Sequence, residues 1–154
     1  MEYLIVKWVH IVSSTLLFGT GLGSAFYMFF ASRTRDPRVI AVVVKYVVIA
    51  DWLFTTPTVI IQPLSGFYLV HLAGFPLTSA WLLWSILLFL VAGAAWLPVV
   101  WMQIRMRGIA ENAARAGTEL PESYSRFLRA WVALGVVAFV AMVAIFYLMV
   151  MKPT

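Results

Sequence analysis

Residues 80–102 read AWLLWSILLFLVAGAAWLPVVWM, a run with no charged residue. A segment of about 20 mostly apolar residues is what a helix needs to cross a bilayer. Three further runs have the same character: about 3–31, a stretch within 47–73, and about 130–151. The chain around them has 154 residues, of which 64% are hydrophobic and 11% charged. An average soluble domain carries about 25% charged residues. A soluble domain of this size has no interior large enough for so much apolar surface, and disordered chains are poor in such residues. The fold class expected is therefore all-α: one integral membrane four-helix bundle spanning residues 1–154, with no room for a soluble domain.

The first span has no basic segment before it and is too long for a cleavable signal peptide, so it is expected to stay in the protein. Orientation follows from Lys and Arg beside the spans. The first connection carries Arg33, Arg35, Arg38 and Lys45, and the third carries Arg105, Arg107, Arg115, Arg126 and Arg129. The other side holds Lys7 and Lys152 alone. Nine against two places both termini on the outside, the periplasm of a bacterium, with the chain in the inner membrane. Trp8, Trp81 and Trp84 fall near outer span ends and Trp52, Trp101 and Trp131 near inner ends, an aromatic belt at both interfaces. The net charge of +5 then faces anionic lipid, and no basic face with interleaved aromatics points to nucleic acid.

The connections carry helix punctuation. Asp36-Pro37 reads as an N-cap followed by proline in the first turn, so the second helix is expected to start before the membrane, with Asp51 at the interface. Gly108 to Ala116 reads as an amphipathic extension of the third helix, ended by Gly117, and Leu120-Pro121-Glu122 restarts the chain.

There are two histidines and no cysteine, which removes disulfides and thiolate metal sites. Ionisable groups inside a span are functional suspects by default. His10 lies about 10 Å below Tyr3 along a helix. Its face continues through Ser13, Ser14, Leu17, Gly21 and Ser24, small enough for a flat ligand such as haem, with His10 as an iron ligand. Lys7, one turn outward, could pair with a haem propionate. His71 ends the second span on the same side and is the candidate second ligand. The plainer reading is packing: Gly19 and Gly23 form a Gly-x-x-x-Gly pattern that suits close helix contact, and His10 could hydrogen-bond a neighbouring helix.

The second span is dense in helix-disturbing residues: Thr55-Thr56-Pro57, then Gln62-Pro63-Leu64-Ser65-Gly66. Each proline removes a donor and frees a carbonyl, which Thr55, Thr56 or Ser65 can satisfy. Gln62 needs a partner, either in a ligand pocket or in a packed kink. Pro98 is expected to kink the third span. Met142, Met149 and Met151 read as lipid-facing or core filler before metal ligands. No phosphate loop, HExxH, GxSxG or intramembrane carboxylate pair is present.

Lys7-Trp-Val-His10-Ile followed by Phe18-Gly19 resembles the opening of the CopD/HemJ-like group of small membrane proteins. The stretch from Thr56-Pro57 to Gln62-Pro63-Leu64-Ser65-Gly66 resembles a signature of the integral membrane family catalogued as domain of unknown function 2269. The HemJ-type branch is associated with haem b and with oxidising protoporphyrinogen. His10 matches its first-helix histidine and Lys7 its preceding lysine. The branch's Pro-Arg pair after the first span is missing, since Ala25-Phe26-Tyr27 stands there with no arginine before Arg33. Its lysine early in the third helix is also missing, where this chain has Trp81 to Trp84. Both departures disfavour the oxidase reaction without touching haem binding.

The leading expectation is a small b-type haem membrane protein, serving electron transfer or as an accessory to a respiratory or haem pathway. His10, His71, Lys7, Ser14 and Gly21 would form its site and Gln62 a pocket residue. Its partners would be lipid, a redox partner or membrane complex, and a second copy of itself. Two rivals stand beside it: a cofactor-free structural or interaction subunit, and a metal or small-ligand transporter. The scarcity of polar residues within the spans weighs against the transporter.

Overall fold

A computed structural model describes residues 1–153, and among these there are helices and connections but no strand. Helix α1 (Glu2–Arg33) is followed by α2 (Pro37–Ala50), a π-helical turn (Asp51–Thr55), α3 (Thr56–Ala73), α4 (Ala80–Ala116) and α5 (Glu122–Met151). The segment α2–π turn–α3 is one continuous rod, so four rods are long and apolar enough to cross a membrane.

The rods begin and end where local chemistry dictates. Asp36 caps α2 by accepting the Arg38 N–H at 2.8 Å, and Pro37, which has no N–H to lose, fills the first position. Helix α4 ends at Gly117, whose φ of 64° lies in the left-handed region where glycine carries no Cβ penalty. Its 37 residues make it about 55 Å long, against about 30 Å of hydrocarbon. One end of α4 therefore continues past the lipid, as the amphipathic reading of residues 108–116 requires. Arg107 Nε donates to Glu111 Oε1 at 2.8 Å on this extension.

Contacts fix which ends lie together. Tyr68 OH donates to Glu2, and Lys152 Nζ lies 4.5 Å from the Phe75 ring centroid and 5.6 Å from that of Trp81. Both termini thus share one end of the bundle with the α3–α4 connection. The basic connections sit at the other end. There the main core forms around Met28, Ile40, Val44, Met106, Ala110 and Tyr124, all at most 2% exposed. Ser32 spends its hydroxyl proton on the Met28 carbonyl at 2.7 Å, so Tyr124 OH donates to Ser32 Oγ, also at 2.7 Å, and ties α5 to α1.

Packing is uneven. Helix α5 lies along α4, α2 lies against α4, and α1 lies against α3, whereas α1 and α5 meet only sparsely. Phe18 bridges that gap, with its ring 5.4 Å from Phe139 and 5.3 Å from Phe146. Below these rings the four rods enclose a cavity of about 440 Å³. Leu22, Phe26, Phe30, Val136 and Phe139 line it and are themselves 42–57% exposed, so its mouth opens between α1 and α5 toward the lipid-facing surface.

Asp51 is 5% exposed, because the π turn carries it into the bundle against the cavity. Two expectations need correction. Trp131 belongs to the core and not to the aromatic belt, at 5% exposed, since α5 turns that face toward α4. Gly19 and Gly23 pack against nothing: a Cβ at either would meet no atom within 4 Å. Pro98 lies inside α4, whose helical assignment continues on both sides of it. The disturbance expected near Pro57 takes the form of the π turn just before it. There the Thr56 hydroxyl donates to the Asp51 carbonyl at 3.0 Å and the Thr58 hydroxyl to the Phe54 carbonyl at 2.7 Å. These hydroxyls do for the backbone what water does outside a bilayer.

Candidate functional site

His10 is half-buried where α1 faces α3. Three residues of α3 meet it, and their spacing explains why. Gln62, Ser65 and Gly66 stand three and four residues apart, so they share one helical face. Gln62 Nε2 donates to the His10 carbonyl at 2.8 Å. Ser65 Oγ lies 2.8 Å from His10 Nδ1. Gly66 offers the flat patch beside them: a Cβ there would stand 3.3 Å from His10 Cε1.

Counting protons assigns the histidine tautomer. Ser65 has one hydroxyl proton, and its Oγ lies 2.6 Å from the Ile61 carbonyl, which can only accept. Ser65 therefore receives a hydrogen bond from His10, and the imidazole carries its proton on Nδ1. Nε2 is left as a lone pair with no protein partner among the described residues. Histidines that bind metals are oriented in this way, by donating their other N–H to a fixed acceptor.

The other sequence candidates are more scattered. Lys7 is exposed one turn toward the terminal end, with Nζ 5.8 Å from the Tyr3 ring centroid. Ser14 turns its hydroxyl back on the Ile11 carbonyl at 2.8 Å. Gly21 lies deeper and lines the cavity, not the His10 cluster. His71 is exposed near the end of α3 and stacks on Tyr68, with ring centroids 6.5 Å apart. It stands six residues beyond Ser65, about 9 Å along the helix, and no contact joins it to His10 among the described residues. No group of three or more His, Cys, Asp or Glu gathers among them either.

Sequence reading singled out Ser65 for the backbone and did not pair it with His10. The signal was available in the Gln62/Ser65/Gly66 spacing, but nothing in one sequence tells which helix that face meets. Asp51, Gln103 and Trp131, which line the cavity together, went unrecognised as a group for the same reason.

A family model described as predicted integral membrane protein (DUF2269) matches residues 4–153. No curated protein and no solved structure matches the chain.

Proposed function

The chain belongs to the DUF2269 family of predicted integral membrane proteins, and on that footing we propose that it holds b-type haem at His10 and serves electron transfer or a respiratory or haem pathway as an accessory. The observation that supports this reading is the oriented imidazole. Ser65 Oγ accepts the hydrogen bond of Nδ1–H, so Nε2 presents a free lone pair. A neutral imidazole nitrogen on a helix of a membrane bundle is an axial ligand of the kind haem iron takes. Bound haem would supply a one-electron iron couple. Everything else falls to the protein: Ser65 fixes the ring, Gly66 leaves room beside it, and Lys7 offers a cation for a propionate. His71 is the candidate second ligand. In this reading the chain sits in a bacterial inner membrane with both termini on the periplasmic side, because the basic connections stay inside.

The test is an absorption spectrum of detergent-purified protein from haem-supplemented cells, oxidised and then dithionite-reduced. A Soret band with sharp reduced bands is expected, and His10→Ala should remove it while helical circular dichroism is unchanged. Full haem retention in His10→Ala would sink the assignment.

A second reading has its own observation. His10 is bound to α3 through both its ring and its carbonyl, which is what a helix lock in a cofactor-free interaction subunit would show. Colourless protein that comigrates with a membrane partner would favour it.

A further inference from the structure

The basic end of the bundle carries an open groove of about 540 Å³ between α4 and α5. Trp101, Arg105, Gly108 and Asn112 line it from α4, and Phe127 closes it from α5. The α4 residues stand four, three and four apart, so they share one helical face. Gly108 makes a notch between the two polar side chains, because a Cβ there would meet nothing within 4 Å. Arg105 is held against the wall of the groove: its Cζ lies 5.5 Å from the Trp101 ring centroid. Trp101 in turn meets the Phe127 ring edge-on, with centroids 5.6 Å apart. The aromatic pair is thus a platform that positions one guanidinium.

Charge and depth describe what fits. On α4, Glu111 engages Arg107 at 2.8 Å and Arg115 at 3.9 Å. Among the described residues no carboxylate pairs with Arg105, and none lines the groove. A guanidinium in that state suits an anion, and its fork of N–H donors matches two phosphate oxygens at once. Trp101 is 51% exposed and keeps its place in the aromatic belt at the membrane interface. Arg105 stands four residues farther along α4, about 6 Å beyond that belt. The polar layer on each side of a bilayer is about 5–8 Å thick. Arg105 therefore lies at the depth of lipid phosphates. Trp101, Ile104 and Phe127 lie at the depth where the acyl chains begin.

We propose that this groove is a specific site for an anionic glycerophospholipid with a hydroxylated headgroup. The phosphodiester sits on Arg105, the headgroup hydroxyls extend over Gly108 toward Asn112, and the chain roots lie along Trp101, Ile104 and Phe127. A choline or ethanolamine headgroup would bring its cation beside Arg105 with no carboxylate in the lining to receive it. Free phosphate would satisfy the guanidinium and leave the apolar wall bare. Such a site differs from the general attraction of basic connections to anionic lipid, because one arginine, one notch and one aromatic pair define it. It does not depend on the haem reading, since His10 lies toward the opposite end of the bundle, with Glu2 and Tyr68.

The experiment is native mass spectrometry of the full chain released from detergent micelles, titrated with dioleoylphosphatidylglycerol, dioleoylphosphatidylcholine or inorganic phosphate. One phosphatidylglycerol should bind ahead of any other lipid, about fivefold tighter than phosphatidylcholine, the scale of one exposed ion pair. Arg105→Gln should erase that preference and bring the two lipids to parity. Gly108→Leu keeps the arginine and fills the notch, where nothing stands within 4 Å, so it should also abolish the selective first binding. Arg38→Gln removes an equal charge from the same end, on α2, and should leave the first phosphatidylglycerol as tight as before. Circular dichroism checks that each variant keeps its helices. Equal affinity for the two lipids in the wild type, or unaltered binding in Gly108→Leu, would overturn the proposal. A loss in Arg38→Gln as large as that in Arg105→Gln would overturn it too, by showing diffuse attraction in place of a site. Displacement of phosphatidylglycerol by an equimolar amount of inorganic phosphate would give the groove to a free anion and overturn the lipid assignment.

Discussion

Ser65 has one proton to give, and Ile61 takes it; the state of His10 follows from that. Removing the hydroxyl with Ser65→Ala frees the imidazole to carry its proton on either nitrogen. Hydrogen bonds between membrane helices average about 0.6 kcal/mol, so unfolding in a sodium dodecyl sulfate titration should shift by roughly that amount. A loss several times larger would mean that Ser65 supports more than this bond. Gly66→Ala separates packing from propensity. Alanine favours the helix by about 1 kcal/mol over glycine, but its Cβ would press on His10 Cε1 from 3.3 Å. Stability should hold or rise while the 15N resonances of His10 move. Unmoved resonances would show that the ring does not rest on Gly66. Position 10 was legible as a suspect, because a histidine inside a span is costly wherever it lies. Its partner was not, since the pairing depends on the register between α1 and α3, which 55 residues of separation leave open in the sequence.

At the scale of the helices, the ends were legible and the faces were not. Asp36, Pro37, Gly117 and Pro121 act on their own neighbours, so local chemistry reveals them. Asp36→Ala should cost about 1 kcal/mol through the lost cap. Gly117→Ala should cost about 1–2 kcal/mol, because alanine resists the left-handed backbone that ends α4. Both are read as lowered midpoints of thermal unfolding in detergent. An unchanged midpoint for Asp36→Ala would mean that the bond to Arg38 carries no load. Faces are harder in a membrane protein because hydropathy does not separate core from lipid: Leu and Phe suit both. Trp131 therefore read as a belt residue, and only packing against α4 shows it to be buried. The π turn was hidden for a related reason. The Thr55-Thr56-Pro57 run announces a disturbed ladder but not which form of disturbance the hydroxyls will stabilise, and that form decides that Asp51 turns inward.

For the whole molecule, four apolar runs and an uneven charge distribution gave the number of spans, and the shared end of both termini follows from Glu2, Tyr68 and Lys152. Which side of the membrane that end faces is open to direct measurement, helped by a sequence without cysteine. Ser79→Cys and Thr118→Cys place one thiol in each opposing connection. A membrane-impermeant maleimide should label Ser79→Cys in intact cells and Thr118→Cys only after permeabilisation. The reverse pattern would overturn the periplasmic orientation. The sparse meeting of α1 and α5 has a consequence for how any occupant of the cavity would be measured. A side door into the lipid makes the leaflet the reservoir, so occupancy would scale with the mole fraction of the guest among lipids and be indifferent to the volume of water around the vesicle. Adding detergent would then empty the cavity by two-dimensional dilution, and adding lipid would do the same.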